Sequence, residues 1–160
     1  MIDRDVFERA KALLQQCIEA EVTVATVESC TGGLVAASLT EVAGSSAVVD
    51  RGFVTYTNEA KNELVGVPMH LFAEVGAVSE EVARAMAAGG LAHSNATIAV
   101  GITGVAGPGQ SENKPAGLVH ICAARKGGDI LHERCMFDGD RAAVRKASVL
   151  KAFDMIAALA

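Results

Sequence analysis

The sequence predicts an α/β fold, a three-layer α/β/α sandwich in which one mixed β-sheet lies between two layers of helices. Short apolar runs rich in β-branched residues alternate with segments of helical spacing through residues 4–103, which is typical of strands joined by crossover helices. Residues 117–124 and 129–137 then form two strands separated by a Lys-Gly-Gly turn, which predicts an antiparallel hairpin. Because crossovers and a hairpin occur in one chain, the predicted sheet is mixed.

The elements are predicted in the order α-β-α-β-α-α-β-β-β-α. The predicted helices cover residues 4–20, 31–39, 59–65, 79–93 and 139–159, and the strands cover residues 22–27, 47–56, 96–103, 117–124 and 129–137. Asn58, Ser79 and Asp140 are the predicted N-caps of the last three helices. Residues 104–115 show no regular pattern, and a loop of this length in a compact domain is usually functional or disordered.

Length and composition bound the class of protein. A chain of 160 residues, 51% of them hydrophobic, is expected to form a single domain over residues 1–160 with a substantial core. The net charge of −5 argues against a nucleic-acid duplex as partner, because neutralising phosphates needs a basic face. Aromatic residues make up only 4% of the chain, so base stacking on single strands is disfavoured too.

Targeting and metal-binding signals are missing from the sequence. The N-terminal residues alternate charged with apolar side chains and lack the apolar run of a signal peptide, and no segment is apolar enough to span a membrane. The four cysteines are scattered and the four histidines occur in unrelated contexts. We therefore expect reduced thiols, a cytoplasmic location, and neither a metal site nor a cofactor.

The most informative segment joins the first predicted strand to the next helix and reads Glu28-Ser29-Cys30-Thr31-Gly32-Gly33. A turn of this kind places a hydroxyl beside free backbone N–H groups at a helix N-terminus. Such a turn can cradle a phosphate, or it can present a nucleophile beside donors for an oxyanion. The simplest alternative is that Ser29 is only a helix cap.

A serine nucleophile needs a base, and no histidine stands in a suitable context. A buried neutral lysine can serve instead, and Lys61, just after the second strand, is the best candidate. The alternative is that Lys61 is a solvated helix lysine. Tyr56, the only tyrosine, stands five residues earlier and either shares the pocket with Lys61 or merely packs at a strand end.

Two neighbours of Ser29 allow further interpretations. Cys30 is a rival nucleophile, because a thiol at a helix N-terminus can have a lowered pKa, but no histidine pairs with it. Glu28 points to the opposite side of its strand from Ser29 and is either a buried carboxylate that organises the loop or a strand-end acid.

Two later segments offer groups that bind a ligand. Thr103 ends the third strand, and the glycines that follow it, including Gly104 and Gly107, allow a ligand close to the backbone, although they also suit a structural turn. Arg141 and Arg145 are spaced i, i+4 at the start of the last helix and so share one face. That pair holds an anion or is simply solvated.

Six ordered motifs resemble the C-terminal domain of the competence/damage-inducible protein CinA over residues 5–158. They are residues 28–33 (ESCTGG), 56–61 (YTNEAK), 76–83 (GAVSEEVA), 103–108 (TGVAGP), 114–117 (KPAG) and 137–141 (FDGDR). The resemblance implies an α/β/α domain that hydrolyses the carboxamide of nicotinamide mononucleotide, with nicotinate mononucleotide and ammonia as products. It also implies a metal-free serine–lysine mechanism and a place in pyridine nucleotide recycling.

Carried onto this chain, the resemblance makes Ser29 the nucleophile and Lys61 its base. Tyr56 has a supporting catalytic role. The resemblance also makes Thr103 and Arg145 supporting pocket positions and Glu28 the acid before the nucleophile. The residues themselves add further expected substrate-binding positions, namely Cys30, Thr31, Gly32, Gly33, Gly104, Gly107 and Arg141. The family's loop commonly continues as Gly-Pro-Gly-Gly-Gly-Ser, whereas residues 109–113 here read GQSEN.

Two functions from different classes follow. The first is the amidohydrolase, acting on a small nucleotide, and the second is a non-catalytic nucleotide-binding module linked to competence or DNA damage. The presence of both Ser29 and Lys61 favours the enzyme. The small residues of the helix at 79–93 favour a homodimer.

Overall fold

One five-stranded sheet forms the centre of the computed structural model, which describes all residues from Met1 to Ala160. The strands are β1 (Val24–Glu28), β2 (Val49–Val54), β3 (Ile98–Gly104), β4 (Leu118–Arg125) and β5 (Ile130–Met136), arranged in the order β2-β1-β3-β4-β5. β1 pairs in parallel with β2 and β3, whereas β4 is antiparallel to both β3 and β5. The predicted mixed sheet and its hairpin are confirmed.

Six α-helices cover the two faces of the sheet. They are α1 (Arg4–Glu19), α2 (Leu34–Thr40), α3 (Asn58–Val65), α4 (His70–Glu74), α5 (Glu80–Ala92) and α6 (Arg141–Leu159). α1, α2 and α6 pack together on one face around a core of 27 buried residues, while α5 packs on β1, β3 and β4 from the other side, next to α3 and α4. The three-layer α/β/α architecture is therefore confirmed. No helix combines the length and apolarity needed to cross a membrane.

Close packing of α5 on the sheet explains its small residues. A Cβ atom on Gly101 of β3 would lie 2.7 Å from the carbonyl oxygen of Ala83 and 2.9 Å from the backbone nitrogen of Ala87. A Cβ atom on Gly89 would lie 1.9 Å from the carbonyl oxygen of Val65 at the end of α3. Most of the small residues that suggested a homodimer are thus buried within this chain, Ala83 and Ala87 against β3 and Gly89 against α3, while Ala88 is exposed.

Several boundaries differ from those expected. α2 begins at Leu34 rather than at residue 31, because Gly32 and Gly33 adopt positive φ angles of 59° and 98° and keep the preceding turn out of the helix. The second strand is shorter than expected, since residues 45–47 form a 3₁₀ helix before it. Thr57, not Asn58, caps α3, and the short helix α4 was not expected.

The carboxyl ends of β1, β2 and β3 meet at one edge of the sheet. Hydrogen bonds continue the pairing beyond the strands: the Thr55 N–H donates to the Glu28 carbonyl oxygen at 2.7 Å, and the Ser29 N–H donates to the Ile102 carbonyl oxygen at 3.1 Å. The residues that follow the three parallel strands, including Ser29 and Thr55, are therefore neighbours. In open α/β sheets this edge is where ligands bind.

Candidate active site

A polar cavity of about 330 Å³ opens at this edge of the sheet. It is lined by residues that follow the parallel strands, by the turn before α5, by the loop after β3 and by the start of α6. Eight of the predicted site residues are in its lining: Ser29, Cys30, Tyr56, Lys61, Thr103, Gly104, Gly107 and Arg141. The other five, Glu28, Thr31, Gly32, Gly33 and Arg145, are outside it.

The amine of Lys61 is the centre of the hydrogen-bond geometry in this cavity. Lys61 is only 1% exposed, and its Nζ lies 3.1 Å from Ser29 Oγ, 2.8 Å from the Thr55 carbonyl oxygen and 3.4 Å from the Tyr56 carbonyl oxygen. No ion pair in the protein includes Lys61. A lysine is therefore held inside the fold by a hydroxyl and two carbonyls, without a carboxylate partner.

These three contacts can satisfy either protonation state of the amine. The ammonium form has three donors and no acceptor, and it would donate to all three oxygens. A neutral amine has two N–H donors and one lone pair. In that form the carbonyl oxygens of Thr55 and Tyr56, which can only accept, take the two N–H groups, and the lone pair faces Ser29 Oγ.

Burial lowers the pKa of Lys61 from its ordinary value of 10.5, because the charged amine loses its hydration inside the protein. The Cys30 thiol, where it is ionised, and the Glu112 carboxylate act in the opposite direction and raise it in part. The net direction increases the fraction of neutral amine, which is the form that can act as a base.

The thiol of Cys30 lies in the same cavity but differs from the expectation for a helix N-terminus. Burial raises the pKa of Cys30 to about 11, in spite of opposing effects from its own backbone N–H and from Arg145 and Lys61. The lowered pKa that would favour Cys30 as a rival nucleophile is not found, because desolvation outweighs the nearby positive charges. At neutral pH the group is a protonated thiol, a weaker nucleophile than the thiolate.

The carboxylate of Glu28 organises the turn that carries Ser29. Its oxygens accept hydrogen bonds from Thr31 Oγ1 at 2.7 Å, the Val35 N–H at 2.8 Å, the Ala36 N–H at 3.0 Å and Thr26 Oγ1 at 3.2 Å. Gly33 occupies the N-cap position of α2 and has no side chain to accept these hydrogen bonds. Glu28 therefore caps the helix instead. It supports the turn that carries Ser29 and does not line the cavity.

The turn itself leaves several donors free. Gly32 N–H closes the turn on the Ser29 carbonyl oxygen at 3.0 Å, while the N–H groups of Cys30, Thr31 and Gly33 have no acceptor within the protein. Of these residues only Cys30 lines the cavity. In enzymes with a serine nucleophile, a free N–H on the residue after that serine commonly forms part of the oxyanion hole, and Cys30 follows Ser29.

Arg141 and Tyr56 meet across the opening of the cavity. Arg141 donates from one nitrogen to the Gly107 carbonyl oxygen at 2.6 Å and from the other to the Tyr56 hydroxyl at 3.3 Å. Tyr56 is 60% exposed, and it contacts Lys61 through its backbone carbonyl rather than through its phenol. The Arg141 guanidinium and an aromatic ring are therefore presented to a ligand at the entrance.

Thr103 and Arg145 fix the surroundings of the cavity. Thr103 Oγ1 donates to the Ala77 carbonyl oxygen at 2.8 Å, and the guanidinium of Arg145 donates to the Thr31 carbonyl oxygen at 3.0 Å. The remaining buried nitrogen of Arg145, Nε, has no partner. Although Arg141 and Arg145 share a helix face, only Arg141 reaches the cavity.

Sequence reasoning did not identify several of the groups that build the cavity. The Thr55 carbonyl bonds Lys61, the backbones of Ala77 and Val78 form part of the wall, and Glu112 supplies a carboxylate. The motif at residues 76–83 includes Ala77 and Val78, but its sequence did not predict that they form part of the cavity wall. No group of three or more His, Cys, Asp or Glu side chains is arranged to hold a metal ion.

Replacing Lys61 with Met should change how stability depends on pH. Between the lowered folded-state pKa and 10.5, the unfolded chain binds more protons at Lys61 than the folded protein, so this residue makes wild-type stability rise with pH. The free energy of unfolding of wild type minus that of Lys61→Met should increase across this window, by at most about 1.4 kcal/mol per pH unit. Urea unfolding from pH 7 to 10 measures it.

The matched control is Lys11→Met, which removes an exposed lysine from α1 and should show no such slope. A pH-independent difference between wild type and Lys61→Met would contradict a lowered pKa for Lys61.

Comparison with known proteins identifies the family of this chain. The family model described as CinA C-terminal domain matches residues 7–160. Nicotinamide-nucleotide amidohydrolase PncC of Escherichia coli (strain K12) is 44% identical over 157 residues, which is 98% of this chain and 95% of the relative. The protein of the same name from Pseudomonas putida is 51% identical over 132 residues, 82% of each chain.

A solved structure shares the whole fold. The crystal structure of competence/damage inducible protein CihA from Agrobacterium tumefaciens superposes with a TM-score of 0.94 at 46% identity, covering 99% of this chain and 98% of that one. Because both the family model and the relatives span nearly the full length, the chain belongs to the CinA C-terminal domain family.

Proposed function

We propose that this chain hydrolyses the carboxamide of nicotinamide mononucleotide to nicotinate mononucleotide and ammonia, within pyridine nucleotide recycling. The observation that carries the proposal is the unpaired, buried Lys61 amine 3.1 Å from the Ser29 hydroxyl in a polar cavity. Relatives that align over nearly the whole chain carry the name nicotinamide-nucleotide amidohydrolase, which supports the choice of substrate.

Ser29 is the nucleophile and Lys61 the general base in this proposal. The lone pair of the Lys61 amine accepts the Ser29 proton as Oγ bonds to the carboxamide carbon. The resulting ammonium returns the proton to the amide nitrogen, the carbon–nitrogen bond breaks, and ammonia leaves. Lys61 then deprotonates a water molecule that attacks the ester, so that Ser29 regains its proton and the carboxylate product is released.

The Cys30 N–H is the proposed donor to the oxyanion that forms on the carbonyl oxygen. It is free of protein partners, follows the nucleophile in the chain, and belongs to a residue that lines the cavity. Loss of one such donor costs about 3–4 kcal/mol of transition-state stabilisation in other enzymes. The direction of this N–H is fixed by the turn that follows it, residues 31–33. Glu28 and Arg145 hold this turn through the side chain and the carbonyl oxygen of Thr31.

Arg141 is the proposed partner of the substrate phosphate. Its guanidinium lies at the cavity entrance, in reach of the glycine-rich loop, where the N–H groups of Gly107 and Gly109 have no acceptor within the protein. Guanidinium and backbone N–H groups together form a common phosphate site. Arg145, which holds the Thr31 carbonyl, serves the nucleophile turn instead.

Ammonia release from nicotinamide mononucleotide, followed for wild type and for Ser29→Ala, tests the proposed function. Wild type should release ammonia, and Ser29→Ala should lose roughly 10³-fold or more of this activity while circular dichroism shows an unchanged fold, because the base alone cannot form the acyl intermediate. Cys30→Ser is the matched control and should keep most of the activity.

Equal rates for wild type and Ser29→Ala would rule out the serine mechanism. Loss of activity in Cys30→Ser but not in Ser29→Ala would make Cys30 the nucleophile. Binding of the nucleotide without any ammonia release would favour the non-catalytic module instead.

Replacing Arg141 with Ala should raise the KM for nicotinamide mononucleotide by roughly 10-fold to 100-fold, since a charged hydrogen bond contributes about 1.5–3 kcal/mol. The corresponding nucleoside, which has no phosphate, should be processed equally by wild type and variant. Arg84→Ala, which removes an exposed arginine paired only with Glu80 on α5, serves as the control. An equal loss with nucleoside and nucleotide would show that Arg141 does not bind the phosphate.

A further inference from the structure

One part of the cavity wall is formed by Ala77 and Val78, which belong to the turn Val75–Val78 that connects α4 to α5. Side chains from other segments hold its backbone. Lys114 Nζ donates to the carbonyl oxygens of Val75 at 2.8 Å and Val78 at 2.5 Å, and Thr103 Oγ1 donates to that of Ala77 at 2.8 Å. These tertiary contacts add to the local hydrogen bonds of the turn, in which the Gly76 N–H donates to the Leu71 carbonyl oxygen at 3.2 Å and Ser79 Oγ donates to the Gly76 carbonyl oxygen at 2.9 Å.

Glu112 completes this set of contacts from the same loop as Lys114. One carboxylate oxygen accepts the Ala77 N–H at 3.0 Å, and the other accepts the Val78 N–H at 3.2 Å and Lys114 Nζ at 3.4 Å. Glu112 is the only acidic residue in the cavity lining. Two backbone N–H groups and an ammonium thus bind one carboxylate at the edge of the site.

Gly76 shows how closely this carboxylate approaches the turn. It has a φ angle of 81°, and a Cβ atom at this position would lie 2.6 Å from the nearer Glu112 carboxylate oxygen and 3.0 Å from Lys114 Nζ. The positive φ angle disfavours any residue with a side chain here, and a Cβ atom would displace the ends of the Glu112 and Lys114 side chains. The turn is shaped to receive both Glu112 and Lys114.

We propose that Glu112 is a positioning residue of the active site, whose carboxylate holds the Ala77–Val78 wall in place and maintains a fixed negative charge in the cavity that contains the Lys61 amine. The inference rests on the proposed function for its kinetic consequences. It assigns a role to the segment where this chain departs from the family's glycine-rich pattern.

The charge of Glu112 is maintained by its hydrogen bonds. Burial opposes ionisation, but the N–H groups of Ala77 and Val78 and the amine of Lys114 outweigh it, so the pKa of Glu112 lies below its usual value. At neutral pH the group is an anion. Glu112 raises the pKa of Lys61 against the effect of burial, as does Cys30 where its thiol is ionised. Tyr56 and Arg141 are the other titratable groups in the cavity lining.

Two substitutions separate the two parts of this role. Glu112→Gln keeps the length of the side chain and removes its charge, so the pKa of Lys61 should fall further and the acid limb of the kcat/KM profile should move to lower pH. Glu112→Asp keeps the charge and shortens the reach to Ala77 and Val78, so kcat/KM should fall at least about fivefold while the acid limb stays close to that of wild type. Glu133→Gln, which removes an exposed carboxylate from β5, is the control for net charge.

The protonation of Lys61 is also measured without turnover, by NMR titration of protein carrying ¹³C-labelled lysine, with Lys61→Met identifying the signal. A lower titration midpoint for Lys61 in Glu112→Gln than in wild type and Glu133→Gln supports the inference. Identical midpoints and superimposable pH profiles overturn the electrostatic part, and wild-type kcat/KM in Glu112→Asp overturns the positioning part. Because the titration needs no substrate, an inactive wild type would count against the proposed function and leave this test intact.

Discussion

The contact between the Lys61 amine and the Ser29 hydroxyl depends on keeping a lysine inside the fold with no carboxylate to neutralise it. Hydration of an ammonium ion is lost on burial, and this loss favours the neutral amine. The backbone carbonyls of Thr55 and Tyr56 accept hydrogen bonds from the amine, and in its neutral form these bonds direct the lone pair toward Ser29 Oγ. An unpaired buried lysine lowers stability at neutral pH, and proteins commonly retain such features at functional sites.

The rest of the architecture holds the two partners at this distance. Parallel pairing of β1 with β2 and β3 brings the ends of three strands to one edge of the sheet, and the contact between the backbones of Glu28 and Thr55 sets the spacing. The Glu28 carboxylate fixes the turn after Ser29, because it caps the N-terminus of α2. Ser29 is thereby placed by rigid elements on both sides rather than by a flexible loop.

The fold and part of the cavity follow from sequence patterns, and the rest requires tertiary structure. Alternating apolar runs and the glycine turn of the hairpin suffice for the mixed sheet. Residue chemistry makes Ser29 and Lys61 candidates but leaves a helix cap and a solvated lysine as alternatives, and it is the family resemblance that pairs the two residues, whose side chains are within hydrogen-bond distance. Local pattern does not show that desolvation dominates the Cys30 thiol. Nor does it show that Glu112 reaches the backbone of Ala77, since that contact joins segments 35 residues apart.

The measurement that tests the central claim most directly is the mass of the protein during turnover. Wild type is mixed with saturating nicotinamide mononucleotide, quenched in acid at a series of times, and examined by intact and peptide mass spectrometry. We expect a transient adduct on Ser29 with the mass of the substrate less ammonia, because attack by Oγ forms an ester before water enters. An adduct on Cys30, or ammonia release with no adduct at any time, would contradict a lysine-activated serine.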